Sequence, residues 1–89
     1  MKSKICNLID ALNGNFDDGV IQQKYYPVTE LWELNVEDVS QACSVLSDIY
    51  DLIDQMGINE EETFDVHCIF TKRITRIYLH YKNENITEN

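Results

Sequence analysis

TFDVHCIFTKRITRIYLHY, residues 63–81, alternates apolar and polar side chains on both sides of Thr71-Lys72-Arg73-Ile74. Alternation with a period of two marks a strand with one buried face, so the stretch reads as a β-hairpin. Burial of one face then fixes the register. Phe64 falls opposite Tyr81, Val66 opposite Leu79, Cys68 opposite Ile77 and Phe70 opposite Thr75. The other face pairs Asp65 with His80, His67 with Tyr78 and Ile69 with Arg76. A three-residue loop would shift the register by one and set Arg76 opposite Cys68 on the buried side, an unfavourable place for a charge. Lys-Arg is poor chemistry for a two-residue turn, so a four-residue loop over Thr71 to Ile74 is expected.

Upstream of the hairpin lies the charged loop Asn59-Glu60-Glu61-Glu62, and before it a second helix. Val39, Ala42, Leu46, Ile49, Ile53 and Met56 recur at helical spacing, with Cys43 and Tyr50 flanking them. Asn35 is the expected N-cap, Asp38 the N3 residue and Gly57 the C′ residue. Residues 20–34 are ambiguous. Val20 to Tyr26 has strand-type residues, Pro27 interrupts them, and Thr29 to Leu34 reads as a strand, with a helical turn over Glu30 to Leu34 as the alternative. A first helix over residues 3–13 follows from Ile5, Leu8, Ile9 and Leu12, with Ser3 as N-cap. It ends at Asn13-Gly14, and Asn15 to Gly19 is turn material.

The expected fold class is therefore α+β, in the order α-β-α-β-β. Two helices pack on one face of a three-stranded, mainly antiparallel sheet. Residues 1–82 form one acidic domain, and residues 83–89 a frayed tail.

The second decisive feature is charge. From Tyr25 to Thr71 there is no Lys or Arg, while eleven of the sixteen carboxylates lie there. The formal net charge is −9. Such a chain repels nucleic acid and anionic membrane, and its natural partners are basic proteins. Asp48, Asp51 and Asp54 on the second helix lack a Lys at i±4. Asp51 and Asp54 also sit near the negative helix end, where local stability prefers other residues. Conflicts of that kind collect at functional sites, although charge runs are commonly just solvated surface. The candidate partner-binding residues are Asp48, Asp51, Asp54, Glu37, Glu60, Glu61, Glu62, Glu30 and Glu33.

Cys6, Cys43 and Cys68 are an odd, widely spaced set on apolar stripes. They read as reduced, buried hydrophobes of a cytoplasmic protein. No secretory signal and no membrane span is read from the sequence. Asn85-Ile86-Thr87 matches a glycosylation sequon and reads as polar tail. No metal or cofactor is expected. Cys-x-x-Cys and His-x-x-x-His are absent, and the faintly calcium-like Asn13 to Lys24 has Asp18 at the glycine position and Lys24 at the closing glutamate. Asp65, His67, Tyr78 and His80 could hold an acid–base pair, yet no nucleophile or phosphate loop accompanies them, so cross-strand pairing is the preferred reading and no enzyme is expected. Tyr25, Tyr26 and Trp32 serve either as an aromatic anchor for a partner or as core.

These features favour a small acidic inhibitor that occupies the basic nucleic-acid-binding surface of a partner protein, its carboxylates standing in for phosphates. Phage anti-restriction and anti-CRISPR proteins act this way as a class, and the chain shares their size and charge without any matching motif. The alternative is an immunity protein or antitoxin that neutralises a cationic nuclease toxin. A third reading is a structural or homodimeric interaction domain built on an exposed sheet edge or on the second helix.

Overall fold

The computed structural model describes residues 4–83. Two helices and four strands follow in the order α1 (Lys4–Gly14), β1 (Gln22–Tyr26), β2 (Leu31–Val36), α2 (Val39–Met56), β3 (Glu62–Phe70) and β4 (Thr75–Asn83). The class is α+β, as the sequence implies. The sheet has four strands rather than three, arranged β1-β2-β4-β3 with every neighbouring pair antiparallel. The extra strand comes from the ambiguous segment. Pro27 does not interrupt a strand but opens the turn Pro27 to Glu30, so residues 22–36 form a second hairpin. Proline suits a turn because its φ is preset and it lacks an N–H to leave unpaired. Glu30 takes a φ of 53°, an unusual conformation for a side chain other than glycine. The element order is thus α-β-β-α-β-β.

The β3–β4 hairpin has the expected register at every pair, including Cys68 with Ile77 and Asp65 with His80. Its loop is the four-residue one. The Thr71 N–H donates to the Ile74 carbonyl at 3.1 Å, and the Thr71 hydroxyl both donates to that carbonyl and accepts from the Ile74 N–H. Strands β2 and β3 each run antiparallel to β4, so they are parallel to one another and α2 is the crossover between them.

Both helices close over the face that carries Leu34, Val36, Ile77 and Leu79. In α1 the buried residues are Ile5, Leu8, Ile9 and Leu12, the stripe read from the sequence. In α2 the stripe is turned. Ala42, Val45 and Ile49 are buried, with Leu46, Leu52, Ile53 and Met56 packed beside them. Val39, placed in the core by its spacing, is 52% exposed. The helix has to serve α1 as well as the sheet, and the line Ala42-Val45-Ile49-Leu52-Met56 does both. Cys43 and Tyr50 are left on its outer side. Cys43 is therefore exposed, and Cys6 and Cys68 are only half-buried, so the expectation of three buried cysteines fails. All three are free.

The cap of α2 also differs from expectation. Strand β2 continues through Asn35 to Val36, so Asn35 cannot cap the helix. Asp38 does so instead, accepting from the Ser40 N–H at 2.9 Å and from the Ser40 hydroxyl at 2.8 Å. These bonds hold the Asp38 carboxyl below its usual range. Gly57 closes the helix with a φ of 71°, as expected of the residue after the last turn. Ser3, the proposed cap of α1, and the sequon at 85–87 lie outside the described residues. Asn83, expected in a frayed tail, ends β4 opposite Glu62, and the remainder of that tail lies outside the described residues.

One polar cluster joins the layers. Lys4 Nζ donates to Glu62 Oε1 at 2.7 Å and to the Gly57 carbonyl at 2.9 Å. The Asn59 N–H donates to Glu62 Oε1 at 2.9 Å, and the Tyr81 hydroxyl donates to Oε2. The Glu62 side chain is 2% exposed. The Lys4 ammonium, then the Tyr81 hydroxyl and the Asn59 N–H, pull its pKa from 4.5 down to about 2. Burial, and then the neighbouring carboxylate, push Tyr81 upward.

Two outcomes follow. A depressed carboxyl stabilises the fold fully above its unfolded pKa and loses that contribution as the pH falls through the folded value. Glu62 should thus contribute above about pH 4.5 and lose its contribution between there and about pH 2. Urea midpoints of the protein and of Glu62→Gln should converge across that window, and parallel curves would refute the assignment. Thr75 is wholly buried, and its hydroxyl has no hydrogen-bond partner. Thr75→Val should raise unfolding stability by about 1 kcal/mol, because an unpaired buried hydroxyl is replaced by a methyl group of similar shape.

Candidate functional site

The layered fold sorts the charges. The helix layer and its connections, residues 4–21 and 37–61, carry Asp10, Asp17, Asp18, Glu37, Asp38, Asp48, Asp51, Asp54, Glu60 and Glu61 against Lys4 alone. The two hairpins, residues 22–36 and 62–83, carry Glu30, Glu33, Glu62 and Asp65 against Lys24, Lys72, Arg73, Arg76 and Lys82. One side of the molecule is thus strongly negative and the other nearly balanced.

On the negative side, Asp48 is half-buried and accepts from Asn15 Nδ2 at 3.2 Å, which ties the end of α1 to the middle of α2. Asp51 and Asp54 are exposed. Three residues turn a helix by about 300°, so each Asp is displaced by about 60° from the last. The three form a fan around the outer surface, not a single row. Among the described residues, none has a cation within ion-pair distance.

The turn after α1 brings two more carboxylates into this region. Residues 15–20 are held by Asn15 N–H to Leu12 carbonyl and Val20 N–H to Asp17 carbonyl bonds of 3.1 and 3.2 Å. Gly19 takes a φ of 89° at the close of this turn. A depression of about 390 Å³ is lined by Asp18, Gly19, Val20, Gln22, Asn35, Glu37, Asp38 and Gln41. It gathers three carboxylates from two distant segments and contains no Lys or Arg. Glu37 marks its border, because Glu37 also lines a neighbouring hollow with Arg73 and Arg76. Asp17 and Asp18 lie outside the Lys- and Arg-free block of the sequence, so the block gave no sign of them. The usable signal was the turn itself, since a short helix followed by a turn returns toward its helical neighbour.

The remaining candidates scatter. Glu60 and Glu61 stand in the loop before β3, with Asn59 Oδ1 accepting from the Glu61 N–H at 3.0 Å. Glu62 belongs to the buried cluster with Lys4 and is not a surface group. Glu30 lies in the turn between β1 and β2. Glu33 lies on the opposite face of the sheet, where it accepts from the Tyr26 hydroxyl at 2.8 Å and from Asn35 Nδ2 at 3.2 Å. The Tyr26 bond is the main reason its pKa is lowered. The nine residues therefore do not form one surface. Asp48, Asp51, Asp54 and Glu37 share the helix layer, joined by Asp17 and Asp18.

The aromatic segment is divided by strand alternation. Tyr25 and Trp32 pair across β1 and β2 with ring centroids 4.7 Å apart, and Trp32 packs on the core while its Nε1–H has no partner. Tyr26 faces the other way, with the Lys24 ammonium 5.0 Å from its ring centroid. His80 Nδ1 lies 3.9 Å from Asp65 Oδ2, too far for a hydrogen bond. No group of three or more His, Cys, Asp or Glu side chains able to hold a metal occurs among the described residues. No helix among them is long and apolar enough to cross a membrane. Compared with known proteins, the chain matches no family model, no curated protein and no solved structure, so its functional reading rests on this charge arrangement.

Proposed function

We propose that the chain is an inhibitor that lays its acidic helix layer on a basic nucleic-acid-binding surface of a partner protein. The observation that carries this reading is the separation of charge between the layers. Ten carboxylates against one tied-down lysine create a one-sided field, and such a field steers a partner of opposite sign. The surface that fits it is one built to neutralise closely spaced phosphates, and counterion release favours the association as it does with DNA. Asp51 and Asp54 support the same reading, because they sit uncompensated near the negative helix end. The protein itself would not bind nucleic acid. Three free cysteines, with Cys43 exposed, suit a reducing cytoplasm.

The test uses affinity capture from a lysate of the source organism, followed by titration of the captured partner. Changing Asp48, Asp51 and Asp54 together to Asn should leave the melting temperature unchanged or slightly raised. The same change should weaken binding by about tenfold or more, the loss expected when several steering charges are removed. Binding of the unaltered protein should fall steeply as salt rises, and the partner should release nucleic acid when the complex forms. Equal affinity of the triple variant, combined with indifference to salt, would overturn the proposal for this face.

A further inference from the structure

The two edges of the sheet differ. Strand β1 is five residues long, carries Lys24 and ends at Pro27. Charged side chains, proline and shortness are the usual protections of an edge strand. Strand β3, at the other edge, is nine residues long and pairs with β4 at every position without a bulge. It holds no Lys, Arg or Pro, and its charged residues are Glu62, buried against Lys4, and the exposed Asp65. Its last residues are apolar and open to solvent, Ile69 at 48% and Phe70 at 55%. The outer side of α2 adds exposed Val39, Cys43 and Tyr50, which share one face at steps of four and seven. Burial, and then the nearby Cys43, push the Cys68 thiol of β3 upward.

We propose that β3 pairs antiparallel with β3 of a second copy about a two-fold axis at Val66, giving an eight-stranded sheet with all four helices on one face. In this register the residue numbers of each pair sum to a constant, so the ends can be read off. Asp65 meets His67 of the second copy, and Phe64 meets its Cys68. Thr63 meets Ile69, and Val66 meets itself. Beyond the strand, the turn carrying Glu60 faces the hairpin tip carrying Lys72 and Arg73, twice over by symmetry. Exposed loops of opposite sign therefore close both ends of the seam. Sliding the strands by two residues in one direction would set Asp65 against Asp65, and like charges directly opposite destabilise a sheet. Sliding in the other would set Asp65 against Ile69 and lose both Asp65–His67 pairs, so the central register is favoured.

The overall charge of −9 opposes self-association, but this edge is where it opposes least. Residues 62–83 carry Glu62 and Asp65 against Lys72, Arg73, Arg76 and Lys82, and Glu62 is already satisfied by Lys4. A symmetric, self-complementary contact is the commonest way a soluble chain closes its own interface. Backbone pairing at a free edge supplies affinity, and the apolar residues beside it supply the covered area. The pairing uses the sheet edge and leaves Asp17, Asp18 and Asp48 outward, whereas Asp54 shares a hollow with Tyr50 on the helix face.

Light scattering of the purified protein at about 0.1 mM, a concentration that would saturate a dimer of micromolar affinity, should give twice the 10.4 kDa chain mass. A single-chain mass at that concentration overturns the proposal. Glu60→Lys and Lys72→Glu should each raise the dimer Kd about 5- to 10-fold through the two symmetric loop contacts. The double variant should recover the original value, and failure to recover refutes the register. Paired residues in antiparallel strands lie at Cα distances compatible with a disulfide. Val66→Cys, with Cys6, Cys43 and Cys68 changed to Ser, should therefore form a covalent dimer in oxidised glutathione. The unaltered protein should not cross-link through Cys68. Cross-linking through Cys68 would place the axis elsewhere, and the charge-swap pair decides the register even if the cysteine variant fails to fold.

Discussion

The Lys4–Glu62 pair is the point through which the two layers are held in one arrangement. It gathers the first turn of α1, the residue that ends α2, the loop before β3 and the hydroxyl of Tyr81 on β4. Apolar packing between helices and sheet is non-directional and tolerates sliding. A carboxylate with 2% of its side chain exposed does not tolerate it, because each displaced donor leaves charge without compensation. A buried pair of this kind adds little net stability over an apolar replacement of similar shape. What it supplies is position. It sets where α2 stops and β3 begins, and so where the long crossover lands on the sheet.

Charge separation between the layers follows from that arrangement. The carboxylates on α2 are far apart in sequence from those at Asp17 and Asp18, and only the antiparallel contact of α1 with α2 makes them neighbours. The Asn15–Asp48 bond fixes that contact at one end and Lys4 to Gly57 at the other. The sheet takes most of the cations, chiefly at the tip and open face of the β3–β4 hairpin. One molecule therefore presents an acidic helical side, for which a basic partner is proposed, and a nearly neutral sheet edge, for which its own copy is proposed.

What could be read from the sequence was whatever a single buried face determines. The β3–β4 register was legible because a slip of one residue would have buried Arg76. The stripe on α1 was legible because that helix has one side to bury. Strand β1 was missed because Pro27 looked like an interruption, whereas it opens a turn whose last residue, Glu30, has positive φ. Turning of the α2 stripe from Val39 toward Val45 was not legible, since it reflects a second neighbour that spacing alone does not reveal. Asn35 was mistaken for the cap because β2 runs two residues further than its composition suggests. The acidic face was half legible. Its α2 residues stood out by their lack of nearby lysine, but Glu62 proved to be internal, Glu33 lies on the far side, and Asp17 and Asp18 were joined to the face only by tertiary contact.

The order β1-β2-β4-β3 has a consequence for how the chain reaches this state. Strand β4 is the last of the four to be synthesised, yet it lies inside the sheet and supplies the partner for both β2 and β3. Before residues 75–83 leave the ribosome, β2 can pair only with β1, β3 has no neighbour, and the core has no Ile77 or Leu79. Early segments can form α1 and the first hairpin but cannot close. Closure must then come late and bring together residues distant in sequence, which slows folding relative to a chain built from local contacts. During that interval the apolar side of β3 is exposed, a window in which the nascent chain would depend on holding factors more than the finished molecule does.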